Sequence, residues 1–431
     1  MLALLLIGSL GIAPPTSADD DPTNDAHDPY FNEDEYQAFY TPPEPLPAGT
    51  PGELIRTEPS RLVLEPSGQL GMIMADATRI MYRSTGARGN PNVVTGTYFE
   101  PHNDWPGPGP RPLLVYGPGT QGQGDQCAPS RQFNQGIHWR PFLDLAFNYE
   151  ELFVSTMVAR GFAIVMTDYE GLGTPGLHTY VNRVAEGNAM LDAARAARRL
   201  PDTSLSPDGA VAFWGYSQGG GAAAAAAELA STYAPDLKVA GTYAGAPPAN
   251  LKELFPYADG SALVGAVGYA LNSIITTYPE HEAAIRATLT PRGEDLLFKT
   301  QDQCVAETLT KFMFRHLQPY FNEDINELVD REPFLGIFDE QRIGRLKPNA
   351  PVMILSNRYD PLVPWTGANQ LGRDWCAHGA DVQFWTNEEP PFLNKAMVNH
   401  GLPMLVDGER AMQWVADRFN GLPTTPNCGE F

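Results

Sequence analysis

Three polar residues of this chain stand in turns or loops beyond its apolar runs. Ser217 lies in "FWGYSQGG", held between Gly215 and Gly219. Asp360 closes "VMILSNRYD" and is followed by proline, and His400 lies in "NKAMVNHGLP". A serine hydroxyl is a poor nucleophile at neutral pH. A histidine that takes its proton activates it, and a carboxylate can hold that histidine in the right tautomer. Taken singly, an Asp before Pro is usually a turn residue and a His before Gly a surface or capping residue. The pattern G-x-S-x-G at a strand-to-helix junction changes this, because the sharp turn exposes the serine at the carboxyl end of a sheet. The chain order Ser, Asp, His is the order expected for such a fold. Ser217, Asp360 and His400 are therefore the candidate nucleophile, orienting acid and general base.

The tetrahedral intermediate of acyl transfer needs two donors for its oxygen. The backbone N–H of Gln218, directly after the serine, is one candidate. The Gly-rich loop "YGPGTQGQGDQC" offers the other, at Thr120 or Gln121. That loop lacks the Gly-Lys-Ser/Thr ending of a phosphate cradle. No metal-ligand spacing such as HExxH occurs, so neither a metal nor another cofactor is expected. His138 and His178 follow core strands and are further candidates to line the site. Asp168 in "TDYEGLG" reads as structural, in a turn or a supporting hydrogen bond.

These residues need a frame. Apolar runs such as "RPLLVYGPG", "FAIVMTDYEGLG", "GAVAFWGYS", "LKVAGTYAGAPP", "APVMILSNRYDPLVP" and "ADVQFWTN" alternate with helical stretches. They predict an α/β fold with a mostly parallel sheet covered on both faces. "RLVLE", "RIMYRS" and "VVTGTYFEP" predict antiparallel strands before it. "LPMLVDGERAMQWVADRF" predicts one closing helix, with His400 in the loop before it. The alternation breaks over 251–345, which reads as an inserted helical cap whose Phe255, Leu263 and Val267 are candidate walls for an apolar substrate. The expected organisation is a signal segment 1–18, an N-terminal arm 19–60, a first core segment 61–250, the cap 251–345 and a second core segment 346–431.

The chain has 51 acidic and 29 basic residues, a net charge of -22. Without a basic cluster, nucleic acid is not expected as a partner and an anionic membrane surface is disfavoured. The apolar run "MLALLLIGSLGIAPPTSA" ends in a small-residue cleavage pattern and is too short to span a bilayer, which predicts export. An even number of cysteines agrees, since exported chains form disulfides. Of the three possible pairings, the expected one joins Cys127 to Cys304 and Cys376 to Cys428. Both bridges are read as stabilising the fold and not as parts of the chemistry. No obligate protein partner is evident.

"WGYSQGG", "TDYEGLGTPG", "CAPS", "NRYDPLVP" and "NHG" together resemble the secretory lipase family, the Candida antarctica lipase A type, with the closer likeness to bacterial, actinomycete-type members. The resemblance spans nearly the whole mature chain. It implies an α/β-hydrolase core with an inserted helical lid, secretion, two disulfides, and hydrolysis of carboxylic esters including triacylglycerols. Ser217, Asp360 and His400 match the family's triad. The Gly-rich loop departs: Thr120-Gln121-Gly122 stands where the yeast-type enzyme carries an acidic residue. The expected activity is that of a triacylglycerol lipase touching lipid interfaces transiently. A carboxylesterase for short soluble esters, an acyltransferase and a non-catalytic binding protein are the alternatives.

Overall fold

Alternation of side chains is what builds the centre of this protein. In Leu113–Gly117, Leu114 and Tyr116 point into one apolar cluster and Leu113 and Val115 into another. Ala163–Thr167 and Ala210–Tyr216 divide in the same way: Ile164, Met166, Ala212 and Trp214 on one face, Ala163, Val165, Val211 and Phe213 on the other. Strands buried on both faces read as continuous apolar runs, which is why no polar alternation marks them in the sequence.

The computed structural model describes residues 33–62, 69–135, 138–140, 144–146, 149–393 and 395–431. The signal segment 1–18, the first part of the arm and most of "RLVLE" lie outside the described residues. Contacts divide the chain into Met1–Ala38, of which 33–38 open a helix, and Phe39–Phe431. Among the described residues nine strands form one sheet: β1 Leu54–Ser60, β2 Ala75–Thr85, β3 Pro91–Pro101, β4 Leu113–Gly117, β5 Ala163–Thr167, β6 Ala210–Tyr216, β7 Lys238–Gly245, β8 Val352–Asn357 and β9 Val382–Asn387. Their spatial order is β1-β2-β3-β5-β4-β6-β7-β8-β9. The first three pair antiparallel and β3 joins β5 antiparallel; every pair from β5 to β9 is parallel. This is the α/β-hydrolase architecture.

One boundary moves. Residues 54–60, assigned by composition to the arm, form the edge strand β1. Pro59 hides it in the sequence, yet an edge strand tolerates proline because one side of its backbone has no ladder partner.

Helices cover both faces. Arg183–Ala197 (α1) and Gln218–Tyr233 (α2) lie on one of them. The alanine run Ala222–Ala227 is buried throughout α2. Ala222, Ala223 and Ala226 share a cluster with Ala189, Ala193 and Ala196 of α1, so small side chains let the two helices approach closely. Between β7 and β8 the chain forms the helical insert foreseen over 251–345. It includes Leu251–Tyr257 (α3), Ala266–Thr277 (α4), Pro291–Thr300 (α5), Val305–Phe312 (α6) and Phe334–Gln341 (α7). Its apolar cluster holds Phe255, Val267, Leu271 and Phe338, and takes in Tyr180 and Val181 from the body.

After β9 the expected single helix is two, Val398–Val406 (α8) and Gly408–Phe419 (α9). Pro403 removes an N–H from the first and Gly408 opens the second. Between them Asp407 turns its side chain to accept from Asn387 Nδ2 at 2.6 Å. No helix among the described residues is long and apolar enough to cross a membrane.

Candidate active site

Ser217 links β6 to α2 with φ 58° and ψ -123°, a backbone setting that costs non-glycine residues about 1–3 kcal/mol. The turn closes only because its flanks are glycines. A Cβ on Gly215 would lie 2.0 Å from the Gly219 carbonyl oxygen, and one on Gly219 would lie 2.0 Å from that of Gly117. Ser217 N donates to Gly245 O at 2.9 Å, which fixes the elbow to the end of β7.

His400 is placed differently from the sequence expectation. It sits in the first turn of α8, not in the preceding loop. Its Nε2 lies 2.9 Å from Ser217 Oγ and its Nδ1 2.7 Å from Asp360 Oδ2. Asp360 is fully buried just beyond β8, and its Oδ1 accepts from Leu362 N at 2.8 Å and Val363 N at 3.0 Å. The carboxylate thus fixes the proton on Nδ1 and leaves Nε2 as an acceptor facing the serine hydroxyl. This chain of hydrogen bonds can move a proton from serine to imidazole and on to a leaving group.

Gln218 is the first residue of α2, so its amide has no partner within the helix. Its side chain donates to His178 Nε2 at 2.8 Å and to Glu186 Oε1 at 2.7 Å. His178 Nδ1 donates to the Glu170 carbonyl at 3.0 Å, which leaves Nε2 as the acceptor. Burial holds His178 neutral, its pKa lowered to about 4, and pushes Glu186 up to about 8. His178 therefore supports the residue after the nucleophile. The side chain of His138 lies outside the described residues.

Thr120 and Gln121 border a cavity of about 350 Å³ together with Ser217 and His400. Thr120 Oγ1 is 2.8 Å from Tyr180 OH, and Gln121 O accepts from Val305 N at 2.8 Å. The sequence reading missed the group beneath this loop. Glu150, fully buried, accepts from Gly119 N at 2.8 Å, Tyr116 OH at 3.1 Å and Gln121 Nε2 at 3.5 Å. Burial pushes its carboxyl up to about 8. A glutamate directly before the apolar helical stretch "ELFVSTMVA", at its N-cap, was the available signal.

Phe255, Leu263 and Val267 border a second cavity, with Leu263 common to both. The cysteines pair as Cys127–Cys304 and Cys376–Cys428. Cys304 borders the larger cavity, and Gly122 bridges to it as an isolated β-pair, so this disulfide is part of the site's wall. Asp168 is structural: it accepts from Thr95 Oγ1 at 2.6 Å and Ser130 N at 2.8 Å.

A model of the family described as "Secretory lipase" matches residues 138–427, more than half of the chain. The chain belongs to the secretory lipase family. Among its relatives is a probable inactive lipase of Mycobacterium tuberculosis, 27% identical over 90% of this chain and 82% of that one. Another is a secreted triacylglycerol lipase of Malassezia furfur, 27% identical over 79% of this chain and 86% of that one. The closed-state structure of Candida antarctica lipase A superposes with a TM-score of 0.76 at 22% identity, covering 91% of this chain and 87% of that one.

Proposed function

We propose that this secretory lipase is an exported serine hydrolase that cleaves apolar carboxylic esters, triacylglycerols foremost, through an acyl-enzyme on Ser217. The observation that carries this reading is the Ser217–His400–Asp360 hydrogen-bond chain at the edge of a large apolar cavity. Ser217 Oγ attacks the acyl carbon as His400 Nε2 takes its proton. The developing oxyanion is met by the Gln218 amide and by an amide at Thr120 or Gln121. His400 then returns the proton to the departing alcohol oxygen, and water repeats the sequence on the acyl-enzyme. Asp360 stabilises the imidazolium formed in each half. The naming of relatives as secreted lipases, and two disulfides, support export.

An organophosphonate tests the reading directly. Mass spectrometry should find the adduct on Ser217 and on no other serine, with loss of hydrolysis of an emulsified triacylglycerol in step. The mycobacterial relative is named as probably inactive; an unlabelled Ser217 would place this chain in the same condition.

A further inference from the structure

The two cavities that meet at Ser217 differ in size and in which neighbour of the serine they share. The larger, about 350 Å³, is bordered by His400, Met404 and Leu309. The smaller, about 60 Å³, is bordered by Gln218, Phe255, Val267 and Val363. His400 does not border the smaller, nor Gln218 the larger.

An ester has two sides with different needs. Its leaving oxygen must sit beside Nε2 of His400 to receive a proton. Its carbonyl oxygen must face the amide of Gln218 and an amide at Thr120 or Gln121, between the two cavities. The alcohol part is thereby directed to the His400 side, into the larger cavity. The acyl chain is left the Gln218 side and the smaller one. The smaller cavity has about a sixth of the volume of the larger, so it leaves far less room for a chain.

The small cavity is also held at its size. Leu362 and Val363 border it, and their N–H groups donate to Asp360 Oδ1, so this part of its lining cannot shift without disturbing the carboxylate that orients His400. Phe255, on its wall, is buried against Phe338 with ring centroids 4.9 Å apart. We infer that the enzyme selects esters of short acids with large apolar alcohols. This inference rests on the hydrolase reading above. Among triacylglycerols it selects those of short acids, whose diacylglycerol leaving group fills the larger cavity.

Two constitutional isomers, n-hexadecyl butanoate and n-butyl hexadecanoate, separate the sides of the site because they differ only in the direction of the ester. Both are presented to the purified full chain in the same neutral detergent micelles. The expected result is a kcat/KM at least about tenfold higher for hexadecyl butanoate. Phe255→Ala should narrow that ratio by raising the rate on butyl hexadecanoate. Equal rates, or preference for butyl hexadecanoate, overturn the inference. Turnover of 4-nitrophenyl acetate and labelling of Ser217, without preference for hexadecyl butanoate, overturn the inference alone. Absence of both turnover and labelling overturns the hydrolase reading and this inference with it.

Discussion

The half of the site built on the sheet and the half built on the helical insert are held by different forces. On the sheet side, Ser217, His400 and Asp360 are joined to one another and to backbone amides by hydrogen bonds of 2.7–3.0 Å. On the insert side, Phe255, Leu263, Val267 and Leu309 present hydrocarbon to the cavities and are placed by packing. Directional bonds fix where chemistry happens. Non-directional contacts fix which substrate fits, and they can be altered residue by residue while the proton path stays intact. Glu150 and Cys304 stand at the seam, where the loop carrying Thr120 and Gln121 meets the insert.

The comparison breaks first if the sheet side is dispensable. Ser217→Ala should lower kcat by about 10⁴ or more, and Asp360→Asn by about 10⁴. Retention of a tenth of the wild-type rate on a chromogenic ester would remove the triad from the mechanism.

The seam distinguishes the two disulfides. Loop entropy gives each an upper value of about 4–5 kcal/mol of stability. The Cys127→Ala/Cys304→Ala variant should lose stability and also about 10–100-fold in kcat, because the loop beside Ser217 loses its anchor. The Cys376→Ala/Cys428→Ala variant should lose stability with kcat unchanged. Thermal melts paired with turnover well below the melting temperature read both, and equal kcat losses would erase the distinction.

On the insert side, Leu309→Ala should lower kcat/KM for apolar esters about fivefold, chiefly through KM, the loss of one wall contact of about 1 kcal/mol. A fall confined to kcat would contradict the division of labour.

The last effect is on pH. Buried Glu150 keeps its proton up to about 8, whereas the unfolded chain releases it near the ordinary glutamate value. The folded state binds more protons in that window, so stability falls as pH rises from about 4.5 to 8, at most about 1.4 kcal/mol per pH unit. Glu150→Gln should raise Tm relative to wild type at pH 8, with the difference shrinking towards pH 5. A difference independent of pH would deny the buried proton.

The arrangement of Ser217, Asp360 and His400 was legible because the first two follow apolar runs, the elbow needs its glycines, and the chain order fits the fold. The oxyanion loop was legible as a loop, but its support was not: Glu150 reaches Gly119 across 31 positions, and no local pattern marks that pairing. His178 drew notice for its position after a strand, yet its work is to receive Gln218, a contact set by how α2 packs. His400 was expected in a loop because Pro403 and Gly408 obscure the helix around it. The edge strand β1 was hidden by Pro59, whose meaning depends on lying at an edge.

The bond at Cys304 also constrains how this protein breathes. It nails the insert to the body midway, leaving two stretches, 246–303 and 305–351, each pinned at both ends. A wholesale lifting of the insert, like a hatch on one hinge, would have to cleave a covalent bond. Substrate traffic is then left to flexing within the stretches on either side of Cys304.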